Sequence, residues 1–267
     1  RKFQPDIIIN RFPETGEGGH GHHTASGILA NEAFAAAADP SRFAEQLQYV
    51  SVWQAKRVLW NTFNFGGNNT TSNDQFKVDV GGYNPLLGKS YGEIAAESRS
   101  QHKSQGFGVP ASRGESFEFF SATKGDQPKT DLMEAIDLTW KRVPGGESIA
   151  KIADSITASF DLLHPENSVE GLVRLYKAIG NLPDSYWKTQ KQREVYTLIA
   201  QCSGLFLDVT TTEQFAVQTD SLRLNFSFNN RLGTDAVLQK IAVDKFDSAF
   251  IQVLGKNRNL NFSKTVF

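Results

Sequence analysis

Hydrophobic positions in the first 125 residues alternate between two textures. Ile7, Ile8 and Ile9 form an unbroken β-branched run after Pro5-Asp6, the pattern of a strand covered on both faces in a parallel sheet. Such a strand is normally central, so the pattern predicts further chain before Arg1, and any targeting signal with it. A Gly-rich loop follows, Glu14-Thr15-Gly16-Glu17-Gly18-Gly19, and then Thr24 to Phe34 carries apolar residues at helical spacing until Asp39-Pro40 stops it. Strand texture returns between Trp53 and Phe65, around Val58-Leu59-Trp60 and Phe63. A polar loop from Gly66 to Asp74 gives way to alternation over Phe76 to Val80. Tyr91 to Gln105 reads as a helix enclosing Ile94, Ala95 and Ala96, and Phe117-Glu118-Phe119-Phe120 as a short strand.

Strand alternating with helix predicts an open α/β sheet over residues 1–125. Composition shifts at Lys124-Gly125-Asp126-Gln127-Pro128-Lys129, and residues 126–205 read as a helical region. Helices are expected over Ile149 to Phe160, Val169 to Ile179 and Ser185 to Ile199, with Asn167 and Glu170 spaced as a capping box for the second. From Phe206 the period becomes two: Leu222, Leu224, Phe226 and Phe228 alternate with Arg223, Asn225, Ser227 and Asn229. Asn229-Asn230 marks a turn, and Val237 to Val243 and Phe250 to Val253 resemble further strands. Residues 206–267 are therefore expected to be the start of a β-sandwich module, cut short at Phe267.

Composition narrows the partners. Among 267 residues, Lys+Arg 28 against Asp+Glu 29 gives a net charge of -1, so no basic field exists to hold a nucleic-acid backbone. With 39% hydrophobic and 21% charged residues the chain has globular composition, and no apolar run approaches the roughly 20 residues of a membrane-spanning helix. The single cysteine, Cys202, excludes an internal disulfide and a thiolate zinc cage.

Candidate chemistry concentrates in His20-Gly21-His22-His23, which holds three of the five histidines. The cluster lies between a strand and a helix, where open α/β sheets bind ligands. On a helical turn His20 and His23 share a face and His22 points elsewhere. Neutral imidazole is the commonest metal ligand, and catalytic zinc takes three protein ligands and one open position. Two other readings stand beside this one: a solvated loop without a role, and a dinucleotide turn, since Gly16 to Gly21 satisfies G-x-G-x-x-G. Against the latter, Gly16 comes six residues after Asn10, and no strand ending in an acidic residue follows about 20 residues later. Asn10 and Arg11 occupy the carboxyl end of the first strand, where an arginine contacts a substrate hydroxyl or carboxylate or forms a structural ion pair. His102 either buttresses the site or caps its helix. Trp53 and Trp60 read as core.

Pro5-Asp6-Ile7-Ile8-Ile9 followed by Gly19-His20-Gly21-His22-His23-Thr24-Ala25-Ser26 resembles the second signature of the LmbE/PIG-L family of metal-dependent N-deacetylases: a strand, a Gly-rich loop, then Gly-His-Pro-Asp-His opening a helix. Ala96 to Gln105, ending His102-Lys103-Ser104-Gln105, is similar to the family's later helix, which commonly ends His-x-Ser-Gln. The resemblance covers roughly residues 1–120. The helical stretch, with Trp140 and Pro144-Gly145-Gly146, and the β-module resemble larger secreted multidomain bacterial members.

The resemblance implies a Rossmann-like three-layer open sheet, truncated at its N-terminus, and zinc-dependent hydrolysis of an N-acetyl amide on a sugar-containing substrate. His23 matches the family's third metal ligand, and His20 the histidine that acts on the tetrahedral intermediate. His22 replaces the family's Asp, and Gly21 its Pro. The other ligands, a His and an Asp, and the base come in the family from a His-Pro-Asp-Asp segment that these 267 residues do not contain. The fragment alone is therefore expected to be inactive, and a periplasmic or secreted location follows from the likeness to secreted members. The alternative is a non-catalytic carbohydrate-binding or scaffolding relative that has lost the metal site.

Overall fold

The computed structural model of the chain describes residues 1–65, 67–243 and 246–266. It is mixed α/β, with a mixed sheet and several helices, and divides into two compact units, Arg1–Ile136 and Asp137–Phe267. Gly66, the first residue of the expected polar loop, and Phe267 lie outside the described residues.

The first unit is built from β1 (Ile7–Asn10), α1 (Gly21–Ala38), β2 (Arg57–Thr62), β3 (Phe76–Asp79), α2 (Tyr91–Ser100) and β4 (Phe117–Gly125). The strands form one sheet in the order β1-β2-β4-β3. β1 runs parallel to β2, with Ile8 opposite Val58, as a strand–helix–strand connection requires. β4 is antiparallel to both β2 and β3. Val58 and Leu59, successive residues that face opposite sides of β2, are both fully buried. Arg57, also buried, donates to the carbonyls of Leu132 and Glu134 at 3.1 and 2.6 Å, which fastens the segment after β4 to the sheet.

Two expectations for this unit are corrected. The isoleucine run is not covered on both faces: among the described residues β1 is paired with β2 alone, and Ile9 is 48% exposed. The second helix stops at Ser100, not Gln105. Gln101 caps it, and Gly106, at φ +133°, turns the chain back so closely that a Cβ there would lie 2.5 Å from Arg99 Nε. His102 therefore lies in a turn beyond the helix, its N–H bonded to the Arg99 carbonyl at 3.0 Å. The start of α2 is well determined: Ser90 and Glu93 form a reciprocal capping box.

The second unit contains α3 (Glu147–Ala158), α4 (Val169–Gly180) and α5 (Tyr186–Cys202), then β5 (Leu205–Thr210), β6 (Leu222–Asn230), β7 (Val237–Val243), β8 (Phe246–Val253) and β9 (Asn259–Val266). Ile149, Leu172, Leu175, Ile179 and Val195 bury one another between the three helices, at the helical spacing read from the sequence. Asn167 is not the cap of α4. A 3-10 turn over Pro165–Ser168 runs directly into the helix, and Glu170 pairs instead with Arg174 one turn on. Among the strands, β6 sits between β9 and β5, and β7 pairs with β8. The alternation along β6 is real: Phe226 and Phe228 are buried and stack with Phe262 of β9 at 5.0 and 5.9 Å. Ile241 of β7 and Leu254 join the same cluster.

Asn229-Asn230 is not a turn but the end of β6. Asn230 is fully buried, and its side chain donates to the Thr234 and Leu254 carbonyls at 2.7 and 2.9 Å while accepting from Gly233 N–H.

Candidate functional site

The site is built on the junction of β1 and α1. The chain leaves β1 at Asn10, passes through Arg11 to Gly19, and enters α1 with His20 at the N-cap in extended conformation. The loop closes on itself through a Gly19 N–H to Gly16 carbonyl bond of 3.0 Å. It is held to the helix by Asn31, which donates to Glu14 Oε2 at 3.1 Å and accepts from the Thr123 hydroxyl at 2.7 Å. Gly27 allows the close approach, because a Cβ there would lie 2.9 Å from the Phe12 carbonyl oxygen.

One stripe of α1, at i, i+4 and i+8, carries His23, Gly27 and Asn31 toward the protein. Ile28 and Leu29 of the same helix are exposed, and the residues buried on it are Gly27, Asn31 and Ala36, so small and polar residues seat it. His23 is half-buried on this stripe, while His20 and His22 are exposed. His22 projects about 100° around the helix from His23.

His23 is held in three ways. Its ring stacks on Phe12 with centroids 3.7 Å apart and planes 2° from parallel. The His20 ring meets it edge-on at 5.1 Å and 86°. Its Nδ1 lies 2.9 Å from the Gly18 carbonyl oxygen. A carbonyl only accepts, so this bond places a proton on Nδ1; in the neutral ring the lone pair is then on Nε2, which has no hydrogen-bond partner among the described residues, the arrangement found in metal-ligating histidines. Gly18 is needed for it: a Cβ there would lie 2.9 Å from both His23 Cβ and Phe12 Cδ1.

Beside this cluster, at the carboxyl ends of β1 and β2, Arg11 donates to Asn61 Oδ1 and to Glu118 Oε2, the latter at 3.0 Å. Asn61 Nδ2 donates to the same carboxylate at 2.7 Å. Arg11 is thus in an ion pair, half-exposed on both sides, and such a pair adds little stability. Asn10 is partly buried at the end of β1, opposite Trp60.

The structure therefore brings together His20 and His23, whereas Asn10 and Arg11 lie at the end of β1, where Arg11 contacts Asn61 and Glu118 and not the histidines. It adds Phe12, Gly18, Asn61 and Glu118, which sequence reasoning did not single out. Glu118 had a readable signal, an acid inside the apolar run Phe117–Phe120. His102 makes no hydrogen bond or ring contact with the His20–His23 pair among the described residues. A catalytic zinc takes three protein ligands. Among the described residues no group of three His, Cys, Asp or Glu side chains converges; His23 is the one oriented imidazole that a metal could take as a ligand.

No helix is long and apolar enough to cross a membrane, among the described residues. No family model, curated protein or solved structure matches the chain.

Proposed function

We propose that the chain belongs to a zinc-dependent N-deacetylase of the LmbE/PIG-L type, acting on an N-acetylated sugar or related glycan. The observation that carries this reading is His23: half-buried, stacked on Phe12, and fixed by the Gly18 carbonyl with Nε2 free. On this reading the remaining ligands and the base come from a His-Pro-Asp-Asp segment of the full-length protein. Zinc, when bound, supplies an activated water by lowering its pKa to about 7.

The residues of this chain have separable tasks. His23 presents Nε2 in a single orientation, so that binding does not have to order the ring. His20, exposed and edge-on to His23 at the start of α1, is positioned to donate a hydrogen bond to the developing oxyanion and to pass a proton to the leaving amine. Arg11, Asn61 and Glu118 line the adjoining carboxyl edge of the sheet, where α/β folds receive substrate.

The finer fold belongs to the same proposal. Burial of both faces of β2, at Val58 and Leu59, supports a three-layer Rossmann-like sheet. The pooling of Phe226, Phe228 and Phe262 with Ile241 from a second sheet supports a β-sandwich. A periplasmic or secreted location belongs to the same proposal and rests on the resemblance to secreted members alone.

Acetate release by the full-length protein from an N-acetylated amino sugar tests the activity. His20→Ala is expected to lower kcat by about 100-fold or more while zinc content is kept. An unchanged kcat removes His20 from the mechanism.

A further inference from the structure

The second unit contains a cavity that the His20–His23 site does not use. β5 and β6 are paired only as far as Thr210 opposite Asn225. Beyond that point Leu222, Arg223 and Leu224 of β6 pair with β9 alone. A cavity of about 400 Å³ is lined there by the loop from Glu213 to Ser221, by Leu222 and Arg223 of β6 and by Thr265 of β9. That volume lies within the range of small-molecule sites.

The lining is mixed in a specific way. Phe215 is 81% exposed and Val217 72%, so the loop presents an aromatic ring and a methyl pair to solvent at the mouth of the cavity. Glu213, Asp220 and Arg223 supply two carboxylates and a guanidinium, and the Thr265 hydroxyl adds a neutral donor and acceptor. Arg223 has no ion-pair partner among the described residues. Asp220 uses Oδ1 on the Ser221 N–H at 2.7 Å, which leaves Oδ2 for another donor. Thr219 holds φ at +76°, a conformation β-branched residues rarely adopt and one that concentrates where a loop is shaped for binding.

We infer that this cavity is a saccharide-binding subsite for a neutral pyranose oligosaccharide, separate from the His20–His23 site and independent of what that site does. An aromatic residue, two carboxylates and an arginine on one cavity lining match a sugar ring, which has an apolar C–H face and hydroxyls that both donate and accept. Two carboxylates against one arginine disfavour an anionic ligand. The polar lining disfavours a purely apolar one.

Isothermal titration of the 267-residue chain with N-acetylchitotetraose and with cellotetraose tests the inference. Saturable binding of at least one is expected, with a tenfold or greater loss of affinity in Phe215→Ala and in Asp220→Ala, and none in His23→Ala. Both substituted side chains project from an exposed loop, and unchanged circular dichroism confirms that the variants are folded. Absence of saturable binding for both oligosaccharides overturns the inference. So does binding that survives Phe215→Ala and Asp220→Ala, or that is lost in His23→Ala.

Discussion

The imidazole of His23 lies flat on the ring of Phe12, with centroids 3.7 Å apart and planes 2° from parallel. This contact joins the residue two positions beyond the end of β1 to the first turn of α1. It fixes the histidine before any ligand arrives, which is the preorganisation a metal or transition-state site requires.

Removing the stack is expected to cost about 1 kcal/mol, the usual worth of an aromatic pair beyond its buried area. Phe12→Ala should lower the unfolding free energy by at least that amount, since it also removes the ring's buried area. It should also broaden or split the His23 ring signals in nitrogen-edited NMR, because the ring is no longer held in one orientation. A variant with unchanged His23 resonances would show that Gly18 alone orients the ring.

The glycines of the loop separate by mechanism. Gly18→Ala places a methyl 2.9 Å from His23 Cβ and Phe12 Cδ1, an overpacking expected to cost about 1–3 kcal/mol and to displace the histidine. Gly19→Ala meets open space but sits at φ +75°, so its cost of about 1 kcal/mol is backbone strain alone. Denaturation measures both costs. Only Gly18→Ala should shift the His23 NMR signals.

At the start of α2, Ser90→Ala is expected to lose about 1 kcal/mol, the typical value of an N-cap. Its partner Glu93 has its carboxyl held below the ordinary 4.5, first by the Ser90 N–H, then by the Ser90 hydroxyl and Arg113. A lowered folded-state pKa means that this stabilisation is complete above the unfolded value and disappears as pH falls through the folded one. Glu93→Gln should therefore be less stable than the parent at pH 7, with the difference shrinking below about pH 4. A gap that stays constant down to pH 2 would contradict the assignment.

In the second unit, Ile179 is fully buried among Ile149, Leu172 and Val195. Ile179→Ala should cost about 2–5 kcal/mol in thermal or chemical unfolding. Leu163→Ala, at a position 83% exposed, should change stability by no more than about 0.5 kcal/mol.

Periodicity exposed most of the regular elements. The helical spacing of Ile149, Ile152 and Ile156 and the two-residue period of Leu224, Phe226 and Phe228 both reflect one buried face, so they survive folding. β5 and β9 were not legible. β5 is exposed at nearly every position, and β9 alternates only weakly, so neither carries a strong burial pattern. The tail of α2 was not legible because the helix ends at Ser100 with Gln101 as its cap, and the residues that follow, down to Gln105, include no glycine or proline to mark the stop. In the site, His20 and His23 were legible as chemistry-bearing side chains at helical spacing. Phe12 and the Gly18 carbonyl were not, since one looks like any loop aromatic and the other is backbone.

Zinc ligation by His23, as proposed above, is measured directly by elemental analysis of the full-length protein and of its His23→Ala variant. About one zinc per chain is expected in the parent and a large loss in the variant, with folding retained. A parent protein that carries no zinc when purified and dialysed against it, or a variant that keeps its full complement, would contradict it.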